Sequence, residues 1–215
     1  MKAFPAALPR YAWLLPLWLI CASSSPPVKY LFPITLAYSQ AELPKWFGVV
    51  TVEQDPDPAI HYKLVIPLQW GQVSGRRQLV TPAHPFELRS HFKALAGPGA
   101  EAKISIALVP ADTQPSRWLA LYLQGQHEKV LYERHVPQVG GAVPDVLTSS
   151  GAPGQERISR WLVLRDQAKD GGAHLFMIHV STAAANYTPD MANVFFVLIS
   201  NFDLLHPIVP GTHDR

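Results

Sequence analysis

The stretch that decides the fold is ERISRWLVLR (156–165), followed by DQAKDGG (166–172) and AHLFMIHVST (173–182). Two runs rich in β-branched and aromatic residues flank a polar linker that ends in two glycines, the pattern of an antiparallel hairpin. Inward candidates are Ile158, Trp161 or Leu162, and Leu164 on one strand, with Leu175, Met177 and His179 or their alternates on the other. His174 and His179 stand five apart on one strand, so their side chains are expected on opposite faces.

Outward toward the C-terminus, Thr188 is placed to cap a helix, with Pro189 at its first position and Asp190 in the first turn, where a negative charge suits the helix dipole. Met191, Val194, Phe195, Leu198 and Phe202 form its apolar stripe, widened by Phe196, Val197 and Ile199, so the helix is expected to lie buried on a sheet. Toward the N-terminus, QVGGAVPDVLTSSGAPGQ (138–155) reads as a long surface loop, because glycine, serine and proline dominate it. Before it come a strand at 128–136 and a helix capped by Asp112 or Thr113, opened by Pro115, faced by Trp118, Leu121 and Tyr122 and ended near Gly125. PFELRSHFKA (85–94), with Phe86, Leu88 and Phe92 alternating, turns through AGPGA (96–100) into EAKISIALVP (101–110), with Ile104, Ile106 and Leu108 alternating; this is a second hairpin. In IHYKLVIP (60–67), Tyr62, Leu64 and Ile66 mark a half-buried strand stopped by Pro67, and the β-rich run Trp46–Val52 precedes it across the rigid DPDP loop at 55–58.

Strands and hairpins interleaved with two helices predict an α+β fold, an antiparallel sheet covered by helices. The chain of 215 residues is long enough for a single domain behind a leader. Charged residues are 16% of the chain and prolines number 21, which suggests ordered structure with rigid loops. Lys2, Arg10 and Lys29 are the only charged residues in 1–41; setting these three aside leaves 15 basic against 16 acidic residues, a net of −1. No basic footprint for nucleic acid survives, and Arg76-Arg77 is an ordinary solvated pair.

The order strand, hairpin, helix, strand, hairpin, helix, with IPLQW (66–70) ending an early strand and NVFFVLISNFDL (193–204) closing the domain, resembles PsbP-like and DcrB-like domains of the Mog type. Pro67 and Trp70 match the Pro-x-x-Trp turn of those domains, and Ser200-Asn201-Phe202 matches their Ser-Phe strand entry with one residue inserted. The resemblance covers about residues 45–207 and implies an α/β/α sandwich and an exported or lumenal accessory, assembly or binding role. It carries over no catalytic residue, and it implies core or hinge positions for Trp70 and Phe202.

Residues 1–41 read as an export leader, signal peptide or N-terminal anchor, ahead of a domain at 42–215. Tyr11–Ala22 is an uncharged apolar run of signal-peptide length, too short to cross a hydrocarbon core that needs about 20 residues. A second apolar run, VKYLFPITLAY (28–38), leads to two small-residue cleavage patterns, Ala37-Tyr38-Ser39 and Ser39-Gln40-Ala41. Cys21, the only cysteine, follows the bulky Trp18-Leu19-Ile20, where a lipoprotein leader carries a small residue. The favoured expectation is removal with the leader; lipidation of Cys21, helped by the Ser/Pro patch after it, is the minority reading. Without Cys21 the mature chain has neither a disulfide, nor thiolate chemistry, nor a cysteine metal site.

The nine histidines show no HxH, HxxxH or HExxH spacing, so no metal site is expected. Prolines 56 and 58 interrupt the Asp55/Asp57 pair where a calcium loop needs flexible ligands and glycine. No G-x-S-x-G, GxxxxGK or GxGxxG occurs, so neither a catalytic residue nor a cofactor is expected. Asn186-Tyr187-Thr188 fits a glycosylation sequon, with Thr188 better explained as a cap. The candidate ligand-binding residues are the aromatics Trp46, Tyr62 and Trp70, beside Phe47, together with His84 and His91. The leading expectation is a periplasmic or secreted, non-catalytic accessory protein that assembles with an envelope protein, touching the membrane only through its leader. Its expected contact surfaces are the DPDP segment and the 138–155 loop. The alternative is a small-ligand binder or hydrolase whose site is assembled from His84, His91, Asp145 or His179.

Overall fold

The computed structural model describes residues 30–73, 77–79, 86–97, 99–138, 141–168 and 171–205. In chain order the elements are α1 (Leu43–Trp46), β1 (Phe47–Val52), β2 (Tyr62–Pro67), β3 (Trp70–Gln72), β4 (Arg77–Leu79), β5 (Phe86–Ala94), β6 (Glu101–Val109), α2 (Pro115–Gly125), β7 (Lys129–Gln138), β8 (Gly141–Ser150), β9 (Arg157–Gln167), β10 (Ala173–Ala183), α3 (Pro189–Ser200) and β11 (Asp203–Leu204). They make an α+β fold with a three-stranded sheet, β1-β2-β11, and an eight-stranded sheet in the order β3-β5-β6-β10-β9-β8-β7, with β4 also on β5.

The β9–β10 hairpin pairs Arg157 with Ala183 through to Gln167 with Ala173, and Gly171 at φ +85° turns the chain where a side chain would be strained. It sits in mid-sheet: β10 also pairs β6, and β9 also pairs β8. α2 packs on one face of β9 and α3 with β2 on the other, and β9 is buried from Ile158 to Leu164 without a break. This is why periodicity leaves Trp161 and Leu162 both inward, on opposite faces.

Phe86, Trp118, Leu119, Leu123, Val146, Trp161, Val163, Leu175 and Met177 pack as one core beneath α2. On the other face Ile104, Leu162, Phe176 and Ile178 pack with Tyr62, Leu64 and Ile66 of β2 and with Phe195 and Leu198 of α3. Each fully buried side chain of this kind contributes about 1.5–3 kcal/mol. Thr188 caps α3 as expected, its hydroxyl accepting from the Met191 amide at 3.3 Å.

Three local expectations are corrected. Residues 141–150 are not loop but β8, paired to β7 and β9, with Val143, Val146 and Leu147 buried and the turn confined to 151–156. Its glycines and serines hid the pattern, and Pro144 is tolerated because the β8–β9 ladder begins only at Asp145. α2 takes Gln114 as its N-cap with no side-chain bond, and it buries Trp118, Leu119 and Leu123 while Leu121 faces solvent. Leu108 is 59% exposed, because it lies beyond the reach of α3 while Ala107 packs beneath α2.

Candidate functional site

The α2 face of the large sheet is only partly covered by its helix, and the uncovered part is polar. Period-two alternation sets His91 of β5 opposite Lys103 of β6, Lys103 opposite His179 of β10, and His179 opposite Trp161 of β9. One rung further, Lys93 faces Glu101, Glu101 faces Ser181, and Ser181 faces Ser159. The first rung, with Lys93 and Glu101 of the second, floors a cavity of about 440 Å³, walled by Phe86, Leu88, Tyr122, Gln126 and Glu128.

A β-bulge aims His91 into this cavity. The register of β5 on β6 shifts between Leu88 and Ser90, so Leu88 lies opposite Ser105 and His91 opposite Lys103, all on one face. Strict alternation puts Leu88 and His91 on opposite faces; the extra residue, Arg89, undoes that. Ser90 is turned to the other side, where its hydroxyl meets Tyr62 Oη at 2.6 Å.

Glu101 organises the polar end. Its carboxylate accepts from Lys103 Nζ at 2.7 Å, His91 Nε2 at 2.9 Å, Arg157 at 3.3 Å and Ser181 Oγ at 3.4 Å. Burial alone would raise its pKa, but the bond and charge of Lys103, then the His91 bond and the Arg157 charge, hold it at about 2. Against an ionised carboxylate His91 donates from Nε2, and burial nevertheless draws its own pKa below 6.5. His179 is drawn further, to about 3, first by burial and then by the Lys103 charge. Near neutral pH the floor is therefore Lys103, ion-paired to the ionised Glu101, between two uncharged imidazoles.

The aromatic end is fixed as firmly. Trp161 stacks on His179 with ring centres 3.7 Å apart and planes within 5°, and Tyr122 meets its edge at 5.7 Å. The indole N–H donates to Thr148 Oγ1 at 2.9 Å, and that hydroxyl donates to Glu128 at 2.6 Å. His179 Nε2 is buried and, among the described residues, has no hydrogen-bond partner. Among the described residues no three His, Cys, Asp or Glu side chains group as a metal ligand set.

Of the residues singled out from sequence, His91 and His179 meet in this cavity. Asp145 does not: it is fully buried on the opposite face, bonded to Arg160 Nε at 2.9 Å and to Arg134 Nε at 2.7 Å. Tyr62 is a core residue with no exposed surface, stacked on Phe202. Trp46 is solvent-exposed at the end of α1, and Trp70 is half-buried beside a shallow hollow with Val49, Ile66 and Phe92. His84 and Cys21 lie outside the described residues. DPDP is fastened down, Asp55 pairing with Arg89 while Asp57 caps the turn Pro58–Ile60. Sequence reasoning missed Glu101, Lys103 and Trp161. The signal was the polar alternation Glu101, Lys103, Ser105 on a strand whose other face is apolar.

No protein-family model matches this chain. No curated protein matches it. Among solved structures it is similar to the crystal structure of LpqN, involved in cell envelope biogenesis of Mycobacterium tuberculosis. Identity is 14% and the TM-score 0.41, with 77% of this chain and 96% of that chain covered. Among the described residues no helix is long and apolar enough to cross a membrane.

Proposed function

We propose that this chain is an exported, envelope-associated binding protein that takes a small amphipathic ligand with an anionic head in the cavity beside α2. The observation that carries the reading is the rung His91–Lys103–His179–Trp161, which sets a cation and two neutral imidazoles beside a flat aromatic wall on rigid central strands. Apolar and aromatic lining with a few fixed polar groups is the usual make-up of a small-molecule site. The reading of export rests on the cations Lys2 and Arg10 followed by the uncharged apolar run Tyr11–Ala22. The expected three-layer sandwich fits α2 on one face of the large sheet with α3 and the small sheet on the other.

Anilinonaphthalene sulfonate, an aromatic ring bearing an anion, is the probe for this site. Fluorescence titration of the folded protein should show saturable, single-site binding, weakened about tenfold by Lys103→Met, the size of one charge-assisted hydrogen bond. Arg165→Met, outside the cavity, should leave it unchanged. Binding that ignores Lys103→Met sinks the reading.

A second reading, assembly with an envelope protein, is favoured by the apolar group around the Pro67–Trp70 turn. Trp46, Val49, Leu68 and Leu95 are all exposed there, and the Leu68 amide donates to Trp46 O at 2.9 Å. Crosslinking through a photoreactive residue at position 68 should capture one envelope protein; capture of none would end this reading.

A further inference from the structure

The run that sequence assigns to the end of a leader is built into the domain. Tyr30 lies edge-on to Tyr187 at 5.9 Å, and Tyr187 Oη donates to Leu31 O at 2.7 Å. Phe32 stacks on Tyr132 at 5.7 Å with planes 8° apart, and it covers the Arg160 guanidinium at 4.3 Å and that of Arg134 at 5.7 Å. Pro33 O accepts from Arg160 Nη2 at 2.9 Å, and Tyr38 meets the edge of Phe47 at 5.3 Å.

What this segment covers is costly to open. Arg160 and Asp145 have no exposed side-chain surface, and their bonds at 2.8 and 2.9 Å lie between Phe32 on the outside and Phe196 of α3. Among the described residues Arg160 Nη1 has no partner, so losing Pro33 O and Phe32 would strip a buried cation further. The two small-residue patterns also have another explanation. Ser39 O accepts from the amides of Glu42 and Leu43, while Ser39 N and Oγ both give to the Glu42 carboxylate, closing the turn into α1. A cut after Ser39 or after Ala41 severs that turn.

We propose that residues 30–38 are a permanent strap of the folded domain, sealing the Arg160–Asp145 pair, and that any processing of the leader cuts at or before the Lys29–Tyr30 bond. The test expresses the full chain with its own N-terminus in an exporting bacterial host and reads the intact mass of the purified protein. A chain that starts at or before Tyr30 is expected; any start after Tyr30, at Gln40 or Glu42 above all, overturns the proposal. On the same purified protein, Phe32→Ala is expected to lower the melting temperature by about 4–8 °C, since a half-buried ring is lost, and Phe32→Tyr is expected to restore it. A melting temperature indifferent to Phe32→Ala also overturns the proposal.

Discussion

Glu101, held ionised by the cations and hydrogen bonds around it, and His179, held neutral by burial, both make stability depend on pH. Glu101 has a folded pKa of about 2 against an ordinary 4.5, so the stability it contributes is full above 4.5 and is lost as pH falls toward 2. His179 is held near 3 against an ordinary 6.5, so between those values the unfolded chain binds the proton that the folded one refuses. Stability is then full above 6.5 and falls as pH drops through that window. Urea midpoints should decline from pH 7 to pH 4, and His179→Gln should flatten the decline above about pH 5.5, where Glu101 is ionised in both the folded and the unfolded chain. An unaltered slope in that variant would mean that another group carries the effect. On the opposite face, Asp145→Asn removes from Arg160 and Arg134 the countercharge they share among the described residues. A loss of about 3–5 kcal/mol is expected in equilibrium unfolding, as for any buried pair broken from one side.

Elements were legible where a side-chain period or a cap announced them. Thr188, Pro189 and Asp190 name the start of α3 because each satisfies or suits a helix N-terminus; Thr188→Ala should cost about 1 kcal/mol in the same unfolding measurement. The β9–β10 and β5–β6 hairpins were equally plain. What stayed hidden was whatever needed a neighbour to make sense. β8 is strand because β7 and β9 flank it, and its Gly, Pro and Ser content speaks for a loop until those partners are known. The bulge at Arg89 leaves no local mark either, yet it decides that His91 rather than Ser90 looks into the cavity. The tight turn after β8 gives a sharper test. Gly151 sits at φ +100°, with the carbonyl oxygen of Gln155 only 2.6 Å from where a Cβ would stand. Gly151→Ala should therefore destabilise by more than about 1 kcal/mol, whereas Gly154→Ala, with open space around it, should cost only the positive-φ strain.

At the scale of the whole molecule, the large sheet separates two environments. The cavity with its histidines lies on the α2 face, the sealed arginine pair on the α3 face, and adjacent residues Arg160 and Trp161 of β9 serve one each. Hydrophobic periodicity foretold the α+β class and most of the core, because burial follows from local pattern. It could not assemble the cavity, since His91, Lys103, His179 and Trp161 come from four strands and meet only through register. That same non-local wiring sets a timetable. Residues 31 and 33, among the early parts of the chain to be made, take their hydrogen bonds from residues 156 and 127 positions later. At about 5–20 residues per second, synthesis leaves that early segment without its seat for about 6 seconds or more. During that interval residues 31 and 33 lack the side chains that hold them, and the segment is seated only once Arg160 and Tyr187 have both been made.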